Sequence, residues 1–75
     1  EVVRILLTGS GLASVRIFSR AGDLLLEIQK GRISGELELR WNGRDAHGMD
    51  LPSGLYVLRA EVGPWADNTK VTVKK

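Results

Sequence analysis

The chain has 75 residues, no cysteine and a net charge of +2, from 11 basic and 9 acidic side chains. This length corresponds to one small domain, and the absence of cysteine excludes disulfides and thiolate metal sites as sources of stability. Basic residues are interleaved with acidic ones, and no apolar run approaches the ~20 residues of a membrane-spanning helix, so we predict neither a nucleic-acid partner nor membrane insertion.

The pattern of apolar residues predicts strands throughout the chain, because no segment shows the period of an amphipathic helix. Glycine-containing segments, namely Gly9-Ser10-Gly11, residues 20–23 and residues 31–35, read as turns between these strands. Residues 42–54 and 63–68 read as longer loops. The predicted strands cover residues 2–8, 13–19, 24–30, 36–41, 55–62 and 69–74.

The cleanest alternation runs over residues 36–41, where Leu37, Leu39 and Trp41 share one face and charged residues occupy the other. One apolar and one polar face per strand is typical of antiparallel sheets packed face to face. We therefore predict an all-β sandwich with Greek-key connections. Leu25 breaks the alternation and is assigned to an edge or a neighbouring module. The other predicted inward positions are Val15, Ile17, Leu24, Leu26, Ile28, Tyr56, Leu58, Ala60, Val62, Val71 and Val73.

The stretch from Trp41 to Val62 organises the rest of the chain. It reads as the end of a strand, a tight polar loop and a second strand that returns antiparallel. Asn42-Gly43 is a strong turn dipeptide, Asp45 is expected to accept backbone N–H groups, and Gly48 is expected to take a positive φ. Trp41 and Tyr56 are expected to pack against one another or on adjacent core residues, with their polar atoms directed to loop carbonyls or outward. Arg44 is expected to pair with Asp45 or Glu38.

This stretch, W-N-G-R-D-x-x-G-x-x-L-P-S-G-L-Y, resembles the signature of the immunoglobulin-like domain in the C-terminal part of flagellar hook-capping proteins. The same module occurs at the C-terminal ends of secreted and surface bacterial proteins. Residues 15–22 and 69–75 are similar to the hairpin and the terminal strand of that family. The matching residues are Trp41, Gly43, Arg44, Asp45, Gly48, Leu51, Ser53, Gly54 and Tyr56, while Asn42 replaces the usual aspartate.

The resemblance implies an immunoglobulin- or fibronectin-III-like antiparallel β-sandwich of six to seven strands, forming one domain over residues 1–75 at the C-terminal end of a longer protein. It implies a non-catalytic accessory module that docks, spaces or anchors an exported or surface bacterial protein, such as a flagellar hook cap. The expected partners are other domains of the parent protein or a surface or secretion assembly, and the expected location is extracellular or on the cell surface.

A second family is similar in pattern, the C-terminal sorting domains of type IX secretion cargo. Those domains also end in a lysine-rich strand, but they usually begin with a Pro-Asn-Pro motif that this sequence lacks. A secretion and surface-attachment signal is therefore the alternative function.

Candidate chemistry is sparse. His47, the single histidine, lies between Asp45 and Asp50, which raises the possibility of a metal or acid–base site. The spacing matches no calcium loop and both aspartates have turn roles, so we favour a structural interpretation. No arrangement of serine with histidine predicts a nucleophile. We predict no catalytic residue, no cofactor and no metal.

Four residues are candidates for interaction instead: Trp65, Lys70, Lys74 and Lys75. Trp65 is either a lid over the end of the sandwich or a contact for a neighbouring domain, a sister subunit or a glycan. The three lysines lie near the last strand, where they either protect a sheet edge or form a recognition surface for an export machine.

Overall fold

The computed structural model describes residues 2–74, which form four antiparallel strands and no helix. Residues 2–74 therefore include no helix with the length and apolar character that crossing a bilayer requires. The all-β, antiparallel prediction is confirmed. The strands are β1 (Val3–Phe18), β2 (Leu24–Trp41), β3 (Gly54–Val62) and β4 (Trp65–Val73), in one sheet of order β2-β1-β3-β4.

The strand count corrects the prediction of six to seven strands, because the described residues form four. β1 joins the two strands predicted before residue 20, and β2 joins the next two. The segments predicted as breaks, Gly9-Ser10-Gly11 and residues 31–35, lie inside these strands and face each other, with Gly9 opposite Gly35. Glycines at matching places on both strands let the ladder bend without losing its pairing.

The bend divides the sheet into two arms around one core. The first arm is residues 3–12 of β1 with residues 32–41 of β2. The second arm is the remainder of both strands together with β3 and β4. The buried residues of both arms form a single cluster together with Leu51 from the segment between β2 and β3. The members are Ile5, Leu7, Ala13, Val15, Ile17, Leu39, Trp41, Leu51, Tyr56, Leu58, Ala60, Val62 and Val73.

At Gly11 the two arms approach each other closely. Its φ is +130°, and a Cβ at this position would lie 2.6 Å from the Cα of Gly63 in the turn between β3 and β4. The Gly63 N–H donates to the Leu12 carbonyl at 2.9 Å. Two backbones can meet this closely only where neither carries a side chain.

Two irregularities in the β1–β2 ladder explain how the inward face of β2 changes phase. Ala13 pairs with Gly31 but Ser14 pairs with Gln29, so Lys30 is an extra residue. Such a bulge shifts every following side chain to the other face. The inward-facing residues of β2 accordingly have even numbers before residue 30 and odd numbers after residue 31.

The second irregularity, between Ile17 and Phe18, makes Leu25 the extra residue. Leu25 is half-buried against the core. Leu24 pairs with Phe18 and is 53% exposed, which corrects its predicted inward position. The other positions predicted as inward are buried or partly buried against the core.

The connection from β2 to β3 also differs from the prediction. β1 lies between these strands, and both pair antiparallel with β1, so β2 and β3 run parallel rather than as a hairpin. Residues 42–53 thus carry the chain from the first arm to the second. β4 begins at Trp65, opposite Val62, so the predicted loop over residues 63–68 is a turn of Gly63 and Pro64 only.

Candidate functional site

The loop of residues 42–53 is built around Asp45. One carboxylate oxygen of Asp45 accepts the backbone N–H of His47 at 2.9 Å and that of Met49 at 3.0 Å. The Asp45 carbonyl accepts the N–H of Gly48, whose φ is +80°. The expected roles of Asp45 and Gly48 are confirmed, and both are structural.

Two aromatic side chains fix the ends of this loop. The Trp41 indole N–H donates to the Arg44 carbonyl at 2.9 Å, and the Tyr56 hydroxyl donates to the Pro52 carbonyl at 2.5 Å. The two rings meet edge to face with centroids 6.2 Å apart. This confirms the expected packing, in which each ring fills the core and satisfies a loop carbonyl.

The loop is also tied to the bulge in β2, because the Ala46 N–H donates to the Leu25 carbonyl at 3.1 Å. Sequence reasoning identified Leu25 as irregular without assigning it this role. A bulge frees backbone groups from the ladder, and here one of them holds the central loop.

Arg44 has a different partner from the two expected. Its guanidinium donates to Asp50 at 3.1 Å, and Arg44 and Asp50 also form an isolated backbone bridge. Both side chains are more than half exposed, so this ion pair contributes little to stability. Asn42 accepts the Arg44 N–H at 3.2 Å, which is the turn role expected of it.

The arrangement of these polar groups does not build a reaction centre. Asp45 faces backbone donors and Asp50 faces Arg44, so the two carboxylates flanking His47 serve different structural contacts. No group of three or more His, Asp or Glu side chains within residues 2–74 could hold a metal ion. Gly43 is buried in the loop, while Ser53 and Gly54 lie at its end, where Gly54 opens β3 opposite Val73.

The structure separates the predicted interaction residues. Trp65, 50% exposed, is on the inner face of β4, in phase with buried Val73. Lys70 is exposed on the opposite face, and exposed Lys74 follows the end of the strand. Lys75 lies outside the described residues. Among the described residues, Trp65 therefore does not share a surface with Lys70 or Lys74.

Trp65 lines an open cleft of about 220 Å³ that sequence reasoning missed. One wall is residues 3–7 of β1, and the other is the inner face of β3 and β4, with Leu58, Ala60, Asp67, Thr69 and Val71. The available signal was that residues 65, 67 and 69 are in phase with inward-facing Val71 and Val73. Residues 65–69 were predicted to be largely loop because they are mostly polar, although they form the start of β4.

An ion-pair row crosses the outer face of the second arm. Arg16 binds Glu27 on one side at 2.7 Å and Glu61 on the other, and Ser14 adds a hydrogen bond to Glu61 at 3.3 Å. The hydrogen bond from Arg16 lowers the pKa of Glu61 below its ordinary value, and this effect outweighs the opposing effect of desolvation. Hydrogen bonds to Glu27 and Glu61 raise the pKa of Arg16, so the Arg16–Glu61 pair stays ionised at neutral pH.

Comparison with solved structures identifies a similar fold. The structure of FlgD from P. aeruginosa matches 96% of this chain with a TM-score of 0.73 and 20% sequence identity. The match covers 58% of that FlgD chain, so this chain spans a little over half of its length. No protein-family model matches the chain, and no curated protein matches it either. At this level of identity the likeness concerns the architecture: the chain has a FlgD-like fold.

Proposed function

We propose that this chain is a non-catalytic, immunoglobulin-like accessory module that docks, spaces or anchors the rest of an exported or surface bacterial protein. The observation that carries the proposal is the FlgD-like fold, which extends over 96% of the chain. The W-N-G-R-D segment resembles that of the hook-capping family independently of the fold. We place the module, residues 1–75, at the C-terminal end of its parent.

The use of the polar loop residues supports a non-catalytic role. Trp41, Asp45 and Tyr56 each direct a polar side-chain atom to the backbone of the loop. A catalytic group needs a polar atom directed at a substrate position. In this loop the conspicuous residues support a rigid connection between the arms.

More specifically, we propose that the module takes part in an extracellular assembly such as a flagellar hook cap. Its partners would be other domains of the parent or neighbouring subunits outside the cell. The exposed Lys70 and Lys74 favour a second candidate, a sorting signal recognised by an export machine. A hook-cap module acts after export, whereas a sorting signal acts during it.

Deletion of this segment from the parent gene distinguishes the two functions. We expect the parent to leave the cell but fail to assemble, as judged by fractionation and by electron microscopy of the cell surface. Retention of the parent inside the cell would favour the sorting signal. Unchanged export and assembly would contradict both.

A matched control replaces the segment with an unrelated folded domain of similar size. If the module only spaces its neighbours, the replacement restores assembly. If it docks, the replacement fails, because a specific surface is missing. The order of domains in the parent, read from the gene, supports a terminal accessory role if this segment comes last.

A further inference from the structure

The first arm leaves one edge of β1 without a strand partner. Residues 3–12 of β1 pair with β2 on one side, whereas β3 pairs with β1 only from Ala13 onward. Within residues 2–74, no strand occupies the other side of residues 3–12. An unpaired edge presents backbone N–H and C=O groups that another strand can bind.

The direction of these backbone groups follows from two carbonyls. The Leu12 carbonyl accepts the Gly63 N–H, and the Ser10 carbonyl oxygen lies 2.6 Å from the position that a Cβ on Gly63 would take. Both carbonyls thus point away from β2. Because the direction alternates along an antiparallel strand, Leu6 and Thr8 direct their N–H and C=O groups to the same free edge.

The free edge borders the cleft between the arms, and the cleft is mainly apolar. Ile5, Leu7 and Leu58 reach it from the core, and half-exposed Trp65 forms its outer part. An apolar surface beside unpaired backbone groups is suited to binding an added strand. The backbone bonds supply affinity, and pockets for alternate side chains supply specificity.

Two charged residues line this cleft, Arg4 and Asp67, and the Arg4 guanidinium is already paired with Glu38 at 2.9 Å. Asp67 pairs with Ala60 across β3 and β4, so its side chain is on the inner face. Its carboxylate accepts the N–H of Asn68 at 2.9 Å, and it forms no ion pair within the part of the chain described. A cationic side chain on a ligand would complement this carboxylate.

We propose that the cleft binds an extended peptide segment of another polypeptide as an added strand. The peptide pairs with the free edge of β1, carries apolar side chains at alternate positions and places a lysine or arginine against Asp67. A strand of about six residues, roughly 20 Å long, suits the length of this edge. This assigns a surface to the proposed docking role and rests on that role for its biological context.

A second copy of this chain is a poorer occupant than such a peptide. Antiparallel pairing of two β1 edges would direct Val3, Ile5 and Leu7 of the second copy to the inner face, and none of these carries a charge. Asp67 would then be covered without a cationic partner, which is unfavourable. Charge complementarity therefore favours a heterologous strand.

The test uses two synthetic peptides of about nine residues, in which threonine alternates with valine and one central valine is replaced by lysine or by glutamate. Titration of the 75-residue chain is followed by backbone amide shifts and by the indole N–H signal of Trp65. We expect the lysine peptide to bind about tenfold more tightly than the glutamate peptide, with shifts at Leu6, Thr8 and Trp65. The variant Asp67→Lys is expected to reverse this preference.

Two further variants make the result specific. Asp23→Lys makes the same charge change in an exposed hairpin turn away from the cleft, and should leave the preference intact. Leu6→Pro removes an N–H from the free edge but no bond of the β1–β2 ladder, and should weaken both peptides equally. If Leu6→Pro does not fold, the reversal by Asp67→Lys still decides the proposal.

Four results would overturn the proposal. They are the absence of shifts with either peptide at millimolar concentration, shifts confined to the edge of β2, an unchanged preference in Asp67→Lys, and self-association of the chain through β1. A shift of the Trp65 indole with oligosaccharides but not with the peptides would assign the cleft to glycans instead. These results concern the isolated chain, so the proposal can fail while the deletion experiment still supports an accessory role.

Discussion

Asp45 holds the loop between β2 and β3 with a single carboxylate oxygen that accepts two backbone N–H groups. Its neighbour His47 contributes its backbone N–H to this arrangement, and its side chain is exposed. The two residues look equally interesting in the sequence. In the structure, the Asp45 side chain holds the loop through its hydrogen bonds, whereas the His47 side chain is exposed at the surface.

We predict that Asp45→Ala lowers the free energy of unfolding by about 1–3 kcal/mol, because two backbone donors lose a charged acceptor. Asp45→Asn should cost less, since an amide oxygen can still accept. Urea denaturation followed by circular dichroism measures both.

His47→Ala is the matched control in the same loop and should change stability by less than about 0.5 kcal/mol. A loss with His47→Ala equal to that with Asp45→Ala would show that the imidazole has a role that its exposed position does not suggest.

Local chemistry predicted the roles of Asp45, Gly48, Trp41 and Tyr56 correctly. Each acts on the backbone within a few residues, and turn propensities describe interactions of that range. The partner of Arg44 was predicted incorrectly, because the choice among three acidic side chains depends on the path of the whole loop. Sequence proximity favoured Asp45, but that carboxylate is occupied by backbone donors.

At the scale of elements, the glycines of β1 and β2 misled the count of strands. Gly9 and Gly11 lie in phase with Leu7 before them and Ala13 after them, so the period of two continues through the supposed break. A true turn seldom preserves this phase. In β2 the phase changes at Lys30, and a single bulged residue accounts for it.

Gly11 and Gly35 both adopt a positive φ, but only Gly11 has a close neighbour, because a methyl carbon on Gly11 would lie 2.6 Å from the Cα of Gly63. We predict that Gly11→Ala costs more than about 3 kcal/mol or prevents folding, because backbone strain adds to a steric clash. Thermal denaturation measures the loss.

Gly35→Ala is the control, because nothing lies within 4 Å of its Cβ position. It should cost only about 1–2 kcal/mol of backbone strain. Equal costs for both variants would mean that the two arms do not approach each other at Gly11.

The ion-pair row across the second arm predicts a dependence of stability on pH. The pKa of Glu61 is lowered in the folded state, chiefly by its hydrogen bond from Arg16, relative to an ordinary value of 4.5. Its contribution is therefore fully present above pH 4.5 and is lost as the pH falls through the lower folded-state pKa. We expect the urea midpoints of the wild type and Glu61→Gln to differ most at pH 7 and to converge below pH 4.5.

Glu36→Gln serves as the control for this titration. Glu36 is exposed and forms no ion pair among residues 2–74. Its midpoint should follow that of the wild type over the same pH range. A gap between Glu61→Gln and the wild type that widened in acid would contradict the sign of the pKa shift.

At the scale of the whole molecule, one core serves both arms. Leu39 belongs to the first arm and Leu58 to the second, and both are buried in the same cluster. We predict that Leu39→Ala and Leu58→Ala each lower the free energy of unfolding by about 2–5 kcal/mol while leaving a single transition. Coincident curves from tryptophan fluorescence and circular dichroism would confirm it.

Separate transitions for the two arms would contradict this prediction. A useful control is Leu12→Ala, which removes a side chain of the same type that is 64% exposed. That variant should leave the transition nearly unchanged, because little apolar area is lost from the interior.

The order of the sheet could not be obtained from the sequence. Alternation identified the inward residues of β3, but it does not specify which strand they pair with. The segment from Trp41 to Tyr56 resembled a hairpin, and only tertiary pairing places β1 between its two strands. The cleft beside Trp65 was missed for the same reason, since it depends on where β3 ends its pairing with β1.

The continuity of β1 through its bend has a consequence for the folding pathway. The β1–β2 hairpin closes through a short turn, so its formation is local and fast, yet an isolated two-stranded hairpin is only marginally stable in water. We expect the rate-limiting event to be the pairing of β3 with the far side of β1 at residues 13–18, because it requires closing the chain over a long separation. In a mutational analysis of folding kinetics, the fraction of the stability loss that appears in the folding rate should be high for Val15, Ile17 and Leu58. It should be low for residues near the start of β1.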